Sequence, residues 1–172
     1  MKKILTLVLT TICLSTAVSA QTNCTFTQTK TIRASGKTIR SEGTVSYKSP
    51  DQLTMTYTDP EGEYLIISGP MLRSNTGGQQ ISVDTDKNAR FRALRNTLLN
   101  CIDGKYEQAA RDNDADLEIS EANGIKTVRM KARKAAPRGY SQILMEYDGK
   151  GLPVRMVLDE FGGISTEYRF RY

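Results

Sequence analysis

GTVSYKSPDQLTMTYTDP, residues 43–60, holds two rows of side chains. Val45, Tyr47, Leu53, Met55 and Tyr57 occupy odd positions, and Thr44, Ser46, Lys48, Thr54, Thr56 and Thr58 occupy even ones. Side chains alternate between faces along a strand, so the stretch predicts two strands, each with one apolar and one polar face. The apolar face must rest on something, either the protein's own interior or a bound molecule.

Outward from this stretch the same alternation continues. Cys24, Phe26, Gln28, Lys30 and Ile32 share one face, and Thr25, Thr27, Thr29 and Thr31 share the other. YLIIS from Tyr64 reads as a strand, followed by a short one around Ile81 and Val83, set off by Gly77-Gly78. In the last third Val128, Met130 and Ala132 oppose Arg129, Lys131 and Arg133. Ile143, Met145 and Tyr147 follow, then Val154, Met156 and Leu158, then Ile164, Tyr168 and Phe170. Asn123-Gly124, Pro137-Arg138-Gly139, Asp148-Gly149 and Gly162-Gly163 supply the turns between consecutive antiparallel hairpins. One segment breaks the pattern. Over residues 87–102 Phe91, Leu94, Leu98 and Cys101/Ile102 recur at helical spacing, with Asp86 as N-cap and Gly104 as stop. Residues 106–111 predict a second, shorter helix.

Dimensions then constrain the architecture. Eight or nine strands at about 4.8 Å spacing make a sheet roughly 40 Å wide. The clear helix is about 24 Å long and about 10 Å across. It cannot cover the apolar face of a flat sheet of that width. The expected fold is therefore mainly β, a curved antiparallel sheet forming an incomplete barrel, with one or two helices as a lid. Its interior is either filled by side chains or kept as a pocket.

The ends and the composition add context. Met1-Lys2-Lys3, the apolar run at residues 4–14 and Val18-Ser19-Ala20 have the layout of a secretory signal peptide cleaved after Ala20. That leaves 152 residues, read as a single domain over 21–172, and lowers the formal charge from +5 to +3. Cys24 and Cys101 then remain in a compartment that permits disulfides, either as a bridge or as two separate thiols.

The chain contains no histidine, which removes His-based acid–base catalysis, Ser-His-Asp and Cys-His nucleophiles and the commonest zinc ligand. No phosphate-binding glycine motif and no Cys-x-x-Cys pair is present. RDNDADLE, residues 111–118, opens like a calcium loop, but Leu117 and Asn123 stand where Gly and Glu are needed, so it reads as a solvated acidic turn. Arg129, Lys131 and Arg133 share one strand face, either an ordinary solvated face or a patch for anionic lipid or an acidic partner. Nucleic acid is not expected: the aromatic interleaving of single-strand binders is missing. No catalytic residue, metal site or cofactor is expected. Met55, Met130, Met145 and Met156 all fall on apolar strand faces, where Met either fills a core or lines a surface that accepts varied shapes.

The order of these elements resembles the LolA family, the periplasmic carriers that ferry lipoproteins toward the outer membrane. Phe26-Thr27-Gln28 is similar to the family's F-x-Q element, residues 43–50 to its glycine-to-K-x-P element, and Tyr57-Thr58-Asp59-Pro60 to its aromatic-x-x-P. The resemblance implies an incomplete barrel with a helical lid, in which Val45, Tyr47, Leu53, Met55 and Tyr57 line a cavity for acyl chains. Met130, Met145 and Met156 complete that lining, and Phe91, Leu94 and Leu98 are lid contacts. It implies an acylated lipoprotein or other lipid-like ligand, an inner-membrane donor complex, an outer-membrane acceptor and a monomeric periplasmic carrier. A sensor or interaction module of the same fold is the alternative. Ser49 stands where the lipoprotein carriers often hold an arginine that latches the lid, so that role does not carry over to this position.

Overall fold

The alternation in residues 43–60 becomes β2 (Lys37–Lys48) and β3 (Gln52–Asp59), paired antiparallel with Val45 opposite Met55 and Tyr47 opposite Leu53. The computed structural model describes residues 21–135 and 139–172. The signal sequence read in residues 1–20 and the Pro137-Arg138 portion of one turn lie outside the described residues.

Before this pair comes β1 (Gln21–Ile32), and after it come β4 (Tyr64–Ser68), β5 (Met71–Thr76) and β6 (Gln79–Asp84). A 3-10 turn (Thr85–Lys87), α1 (Ala89–Ile102) and α2 (Tyr106–Asp112) follow. The chain returns to strand in β7 (Ala115–Ala122), β8 (Ile125–Ala132), β9 (Tyr140–Tyr147), β10 (Pro153–Glu160) and β11 (Ile164–Arg171). All eleven strands form one antiparallel sheet in the order β6-β5-β4-β3-β2-β1-β11-β10-β9-β8-β7. The sheet is two meanders, joined in the middle where β1 pairs β11. Its edges, β6 and β7, are not paired with each other, and the helical segment carries the chain from one to the other.

Register explains why one face is apolar throughout. Tyr47, Leu53, Ile67, Leu72 and Val83 stand opposite one another across β2 to β6. Val128, Met145, Met156, Tyr168 and Gln28 do the same from β8 through β1. A slip of one residue anywhere would turn a whole strand's apolar set to solvent, so the register is strongly specified. The buried residues of both rows join Leu98, Leu99 and Cys101 of α1 and Ala109 and Ala110 of α2 in one cluster. The curved sheet with a helical lid is thus present as expected.

Several details differ from expectation. The described residues form eleven strands rather than eight or nine. MLRSNT of β5 buries only Leu72 and shows no apolar row in sequence; ADLEISEA of β7 does alternate, with Ala115, Leu117 and Ile119 on one face, but buries only Ala115 and begins inside the acidic run. The N-cap of α1 is Asn88, not Asp86. Residues 85–87 close their own turn, Asn88 is extended (φ −134°), and its Oδ1 accepts the Phe91 N–H. Asp86 instead pairs with Arg95 at 3.4 Å. The acidic turn is neutralised by Arg133, which contacts Asp116 at 2.7 Å and Asp114 at 3.2 Å.

Cys24 and Cys101 are both free thiols, the second of the two arrangements the sequence allowed. Cys101 is sealed within the helix–sheet interior, and burial pushes its thiol up to about 12. Cys24 is half-buried on β1 beside Tyr172. Burial raises its pKa too, with a hydrogen bond from Tyr172 opposing the shift.

Gly43 shows how tightly the motif strands fit. A Cβ there would lie 2.1 Å from the Thr56 carbonyl oxygen and 2.9 Å from Phe26 Cε1. The register shift between β2 and β3 falls at this residue, so the backbone itself fills the space a side chain would need. Gly43→Ala should therefore destabilise by about 2 kcal/mol or more in urea unfolding. An unchanged unfolding midpoint would contradict this packing. Alkylation should label Cys24 slowly and spare Cys101 until the chain is unfolded, with equal gel mobility in the presence and absence of reductant.

Candidate functional site: the concave face and its helical lid

The lid is built by spacing. Phe91, Leu94, Leu98 and Cys101 recur three or four residues apart in α1 and face the sheet, with Leu98 and Cys101 fully enclosed and Phe91 and Leu94 partly so. Leu99 is buried as well, which widens the packed stripe beyond the one legible in sequence. The lid is braced internally by Asn113, whose Nδ2 donates to Thr97 Oγ1 at 3.0 Å and to the Ala109 carbonyl at 2.8 Å.

The two ends of α1 meet the sheet differently. At the C-terminal end the Tyr147 hydroxyl, from β9, donates to the Cys101 carbonyl oxygen at 2.6 Å in a buried contact. A helix leaves its last carbonyls without intrahelical partners, and Tyr147 supplies one of the missing donors. The Tyr106 ring of α2 packs against Tyr147, with centroids 6.2 Å apart. One residue beyond α1, Asp103 pairs with Lys105 and faces Tyr47 and Ser49 at the end of β2. Partial burial disfavours the Asp103 carboxylate, but the Lys105 ammonium and the adjacent Tyr47 and Ser49 hydroxyls outweigh it and hold the carboxyl below its ordinary range. The Tyr47 hydroxyl is pushed up to about 12, first by burial and then by the neighbouring Asp103 charge. That hydroxyl is enclosed near both partners without a well-aligned bond to either. The C-terminal end is thus fastened to β2 and β9, one strand in each half of the sheet.

The N-terminal half of α1 borders space instead. A cavity of about 540 Å³ lies against Arg90, Phe91, Leu94 and Thr97, with Tyr140 and Glu160 across it. A second, of about 180 Å³, lies at the fastened end among Cys24, Val45, Tyr47, Ile102 and Phe170. The larger falls in the size range of ligand pockets and mixes apolar walls with a few polar groups. Burial pushes the Tyr140 hydroxyl well above its ordinary range. Among the described residues no cluster of three or more Cys, Asp or Glu side chains could hold a metal ion.

The expected lining residues divide accordingly. Leu53, Met55, Met130, Met145 and Met156 are sealed beneath the lid. Val45 and Tyr47 border the smaller cavity, and Phe91 and Leu94 the larger. Leu98 is enclosed between lid and sheet. Tyr57 meets the Phe26 ring edge-on at 5.1 Å and donates its hydroxyl to Gln28 Oε1 at 2.6 Å, with Tyr168 as a further partner. Phe26 and Gln28, the F-x-Q pair, therefore seat the Tyr57 ring. Sequence reasoning missed Asp103, Tyr140 and Glu160. Tyr147 was legible as an inward-facing strand residue, but its bond to the helix was not.

Asp103 gives a measurable handle. Its lowered pKa means that its contribution to closure is complete above the ordinary carboxylate range and is lost as pH falls through the lowered folded value. At neutral pH Asp103→Asn should speed backbone hydrogen exchange at the C-terminal end of α1 by roughly fivefold, the equivalent of about 1 kcal/mol, and leave the central strands unchanged. Uniform acceleration over the whole sheet would mean that Asp103 stabilises the fold rather than the closed lid.

The model of the family described as outer membrane lipoprotein carrier protein LolA matches residues 18–172. Among solved structures, a LolA superfamily protein from Nitrosomonas europaea is 8% identical, with 90% of this chain and 86% of that one covered and a TM-score of 0.40. The Mycobacterium tuberculosis lipoprotein LppX is 10% identical, with 87% and 84% covered and a TM-score of 0.35. No curated protein matches the chain significantly in sequence. The family match spans all of the eleven strands and both lid helices, and on that ground the chain belongs to the LolA family.

Proposed function

We propose that this protein is a periplasmic carrier, a single domain exported by its first twenty residues, that shields the acyl chains of a lipoprotein or a similar hydrophobic ligand. Its activity is binding and release, with no bond made or broken. The observation that carries the reading is the asymmetry of the lid. α1 is fastened to strands by polar contacts at one end, whereas its other half holds only the adjoining turn, through Arg92 and Arg95, and borders a cavity of about 540 Å³. Swinging the N-terminal half of α1 outward would join that cavity to Leu53, Met55, Met145 and Met156, an adaptable apolar surface.

Magnitudes support a lid that a ligand can displace. An acyl chain of about sixteen carbons gains about 12 kcal/mol gross on burial, at roughly 0.8 kcal/mol per CH₂ group. Phe91, Leu94, Leu98 and Leu99 contribute roughly 1.5–3 kcal/mol each when fully buried, or about 6–12 kcal/mol together. The two are comparable, so ligand can replace lid, and lid can replace ligand on release. No helix among the described residues is long and apolar enough to cross a membrane.

Native mass spectrometry of the protein from its own cell envelope should show a copurifying acylated species, and the emptied protein should take up a fluorescent acyl probe. Leu94→Asp, at the partly exposed cavity wall, should reduce uptake at least about tenfold with little change in thermal stability. Met55→Asp is not a suitable test, because it would bury an unpaired charge in the core. A protein that arrives empty and cannot be loaded would end the carrier reading.

A further inference from the structure

Two cationic stretches stand out in the sequence, and the structure treats them oppositely. On β8, Arg129 lies opposite Glu118 and Lys131 opposite Asp116, and Arg133 pairs with Asp114 and Asp116. Each cation of that face thus has an acidic residue across from it or paired to it. The β1–β2 hairpin differs. Residues 21–41 contain no acidic side chain, and Lys30, Arg33, Lys37 and Arg40 cluster toward its tip. Arg33 pairs with Asp159 at 3.0 Å, and among the described residues Lys30, Lys37 and Arg40 make no ion pair.

The hairpin also projects. The pairing of β2 with β3 begins at Glu42, so residues 37–41 have β1 on one side and no strand on the other. At about 3.3 Å per residue the tip reaches roughly 16 Å past the end of β3. The acidic β3–β4 turn, with Asp59, Glu61 and Glu63, starts back at the Glu42 level; on the other side the hairpin is level with the β10–β11 turn, where Asp159 is taken up by Arg33. Ile39 is 39% exposed on this flap, and Ile32 is half-buried. The tip adjoins the larger cavity: the Arg33 N–H donates to the Gly163 carbonyl at 2.9 Å, and Gly162 of the same turn lines the cavity.

We propose that the β1–β2 hairpin docks this protein on a bilayer surface rich in anionic lipid headgroups, Lys37 and Arg40 meeting the headgroups and Ile39 resting at the acyl boundary. Charge complementarity selects the occupant, because an anionic surface matches three unpaired cations at one tip, Lys30 and Lys37 on the same face as the exposed Ile39 and Arg40 on the other. A protein partner fits less well, since a stable interface takes about 20–30 residues per side and the projecting tip offers only a handful. Docking there would hold the cavity mouth at the membrane. The proposal rests on the acyl-carrier reading for its purpose, but the contact itself is measured separately.

The test is flotation of the full mature chain with vesicles of phosphatidylcholine alone and of an equal mixture with phosphatidylglycerol. The chain should float with the mixed vesicles, not with phosphatidylcholine alone, and high salt should release it. Lys37→Glu with Arg40→Glu should weaken binding about tenfold or more, at roughly fivefold per basic residue removed. Ile39→Ser should weaken it further. Arg129→Glu with Lys131→Glu, an equal charge change on β8, should leave the selective binding to mixed vesicles in place. Equal binding to both vesicles, or equal loss in the β8 and hairpin variants, would overturn the proposal. Uptake of the acyl probe is measured in parallel without vesicles. If uptake fails while hairpin-dependent flotation holds, the docking surface stands and the carrier reading falls.

Discussion

The fold depends on one shortage: there is far more apolar strand face than helix to cover it. Eleven strands at about 4.8 Å would span roughly 50 Å if flat, and α1 is about 21 Å long. Curvature is how the sheet closes the difference, wrapping its inner rows around α1 and α2. The wrapping is incomplete. Ile81 on β6 and Ile119 on β7 belong to the inner rows but remain 38% and 48% exposed, so the cover stops short of these parts of the two edge strands. An interior covered by a single helical segment, rather than by a second sheet, is one whose cover is a small fraction of the whole structure.

That cover is held by two kinds of force. Apolar contact is distributed along α1, whereas its directional contacts to the strands lie at the C-terminal end, at Tyr147, Tyr47, Ser49 and Asp103; at the other end Arg92 and Arg95 bind only the adjoining turn at Thr85 and Asp86. Burial strengthens these polar contacts and makes each costly to leave unmade. Apolar contact has no such directionality and can be exchanged for any other apolar surface. Ser49 is a partner in the fastening although it lacks a guanidinium, because the charge stands across from it on Asp103.

How much was legible follows from the range of the interactions. Alternation is a property of adjacent residues, so β1 to β4 and β8 to β11 could be read directly, as could the spacing of Phe91, Leu94 and Leu98. β5 could not, since its neighbours in the sheet rather than its own pattern hold it extended, and the alternation of Ala115, Leu117 and Ile119 in β7 was overshadowed by the acidic run at 111–118, which reads as a turn. The seal over Leu53, Met55 and Met156 was also hidden, because an inward-facing methionine looks the same in sequence whether a helix or a ligand lies above it. Asp103 and Glu160 were missed for the same reason: each acquires its surroundings from segments far away in the chain. Gln28 had a motif to flag it, yet only the contact with Tyr57 says what the motif is for.

The central seam has a further consequence. β1 is made first and β11 last, and they are neighbours in the middle of the sheet. Within each meander every pairing joins strands adjacent in sequence, with little loop entropy to overcome. The seam joins residues almost the whole length of the chain apart, Phe26 to Phe170 among them. Until it forms, the molecule is two half-shells, each showing the other an unpaired strand edge and a bare apolar face. Its most vulnerable moment for aggregation is therefore the interval before its final strand arrives.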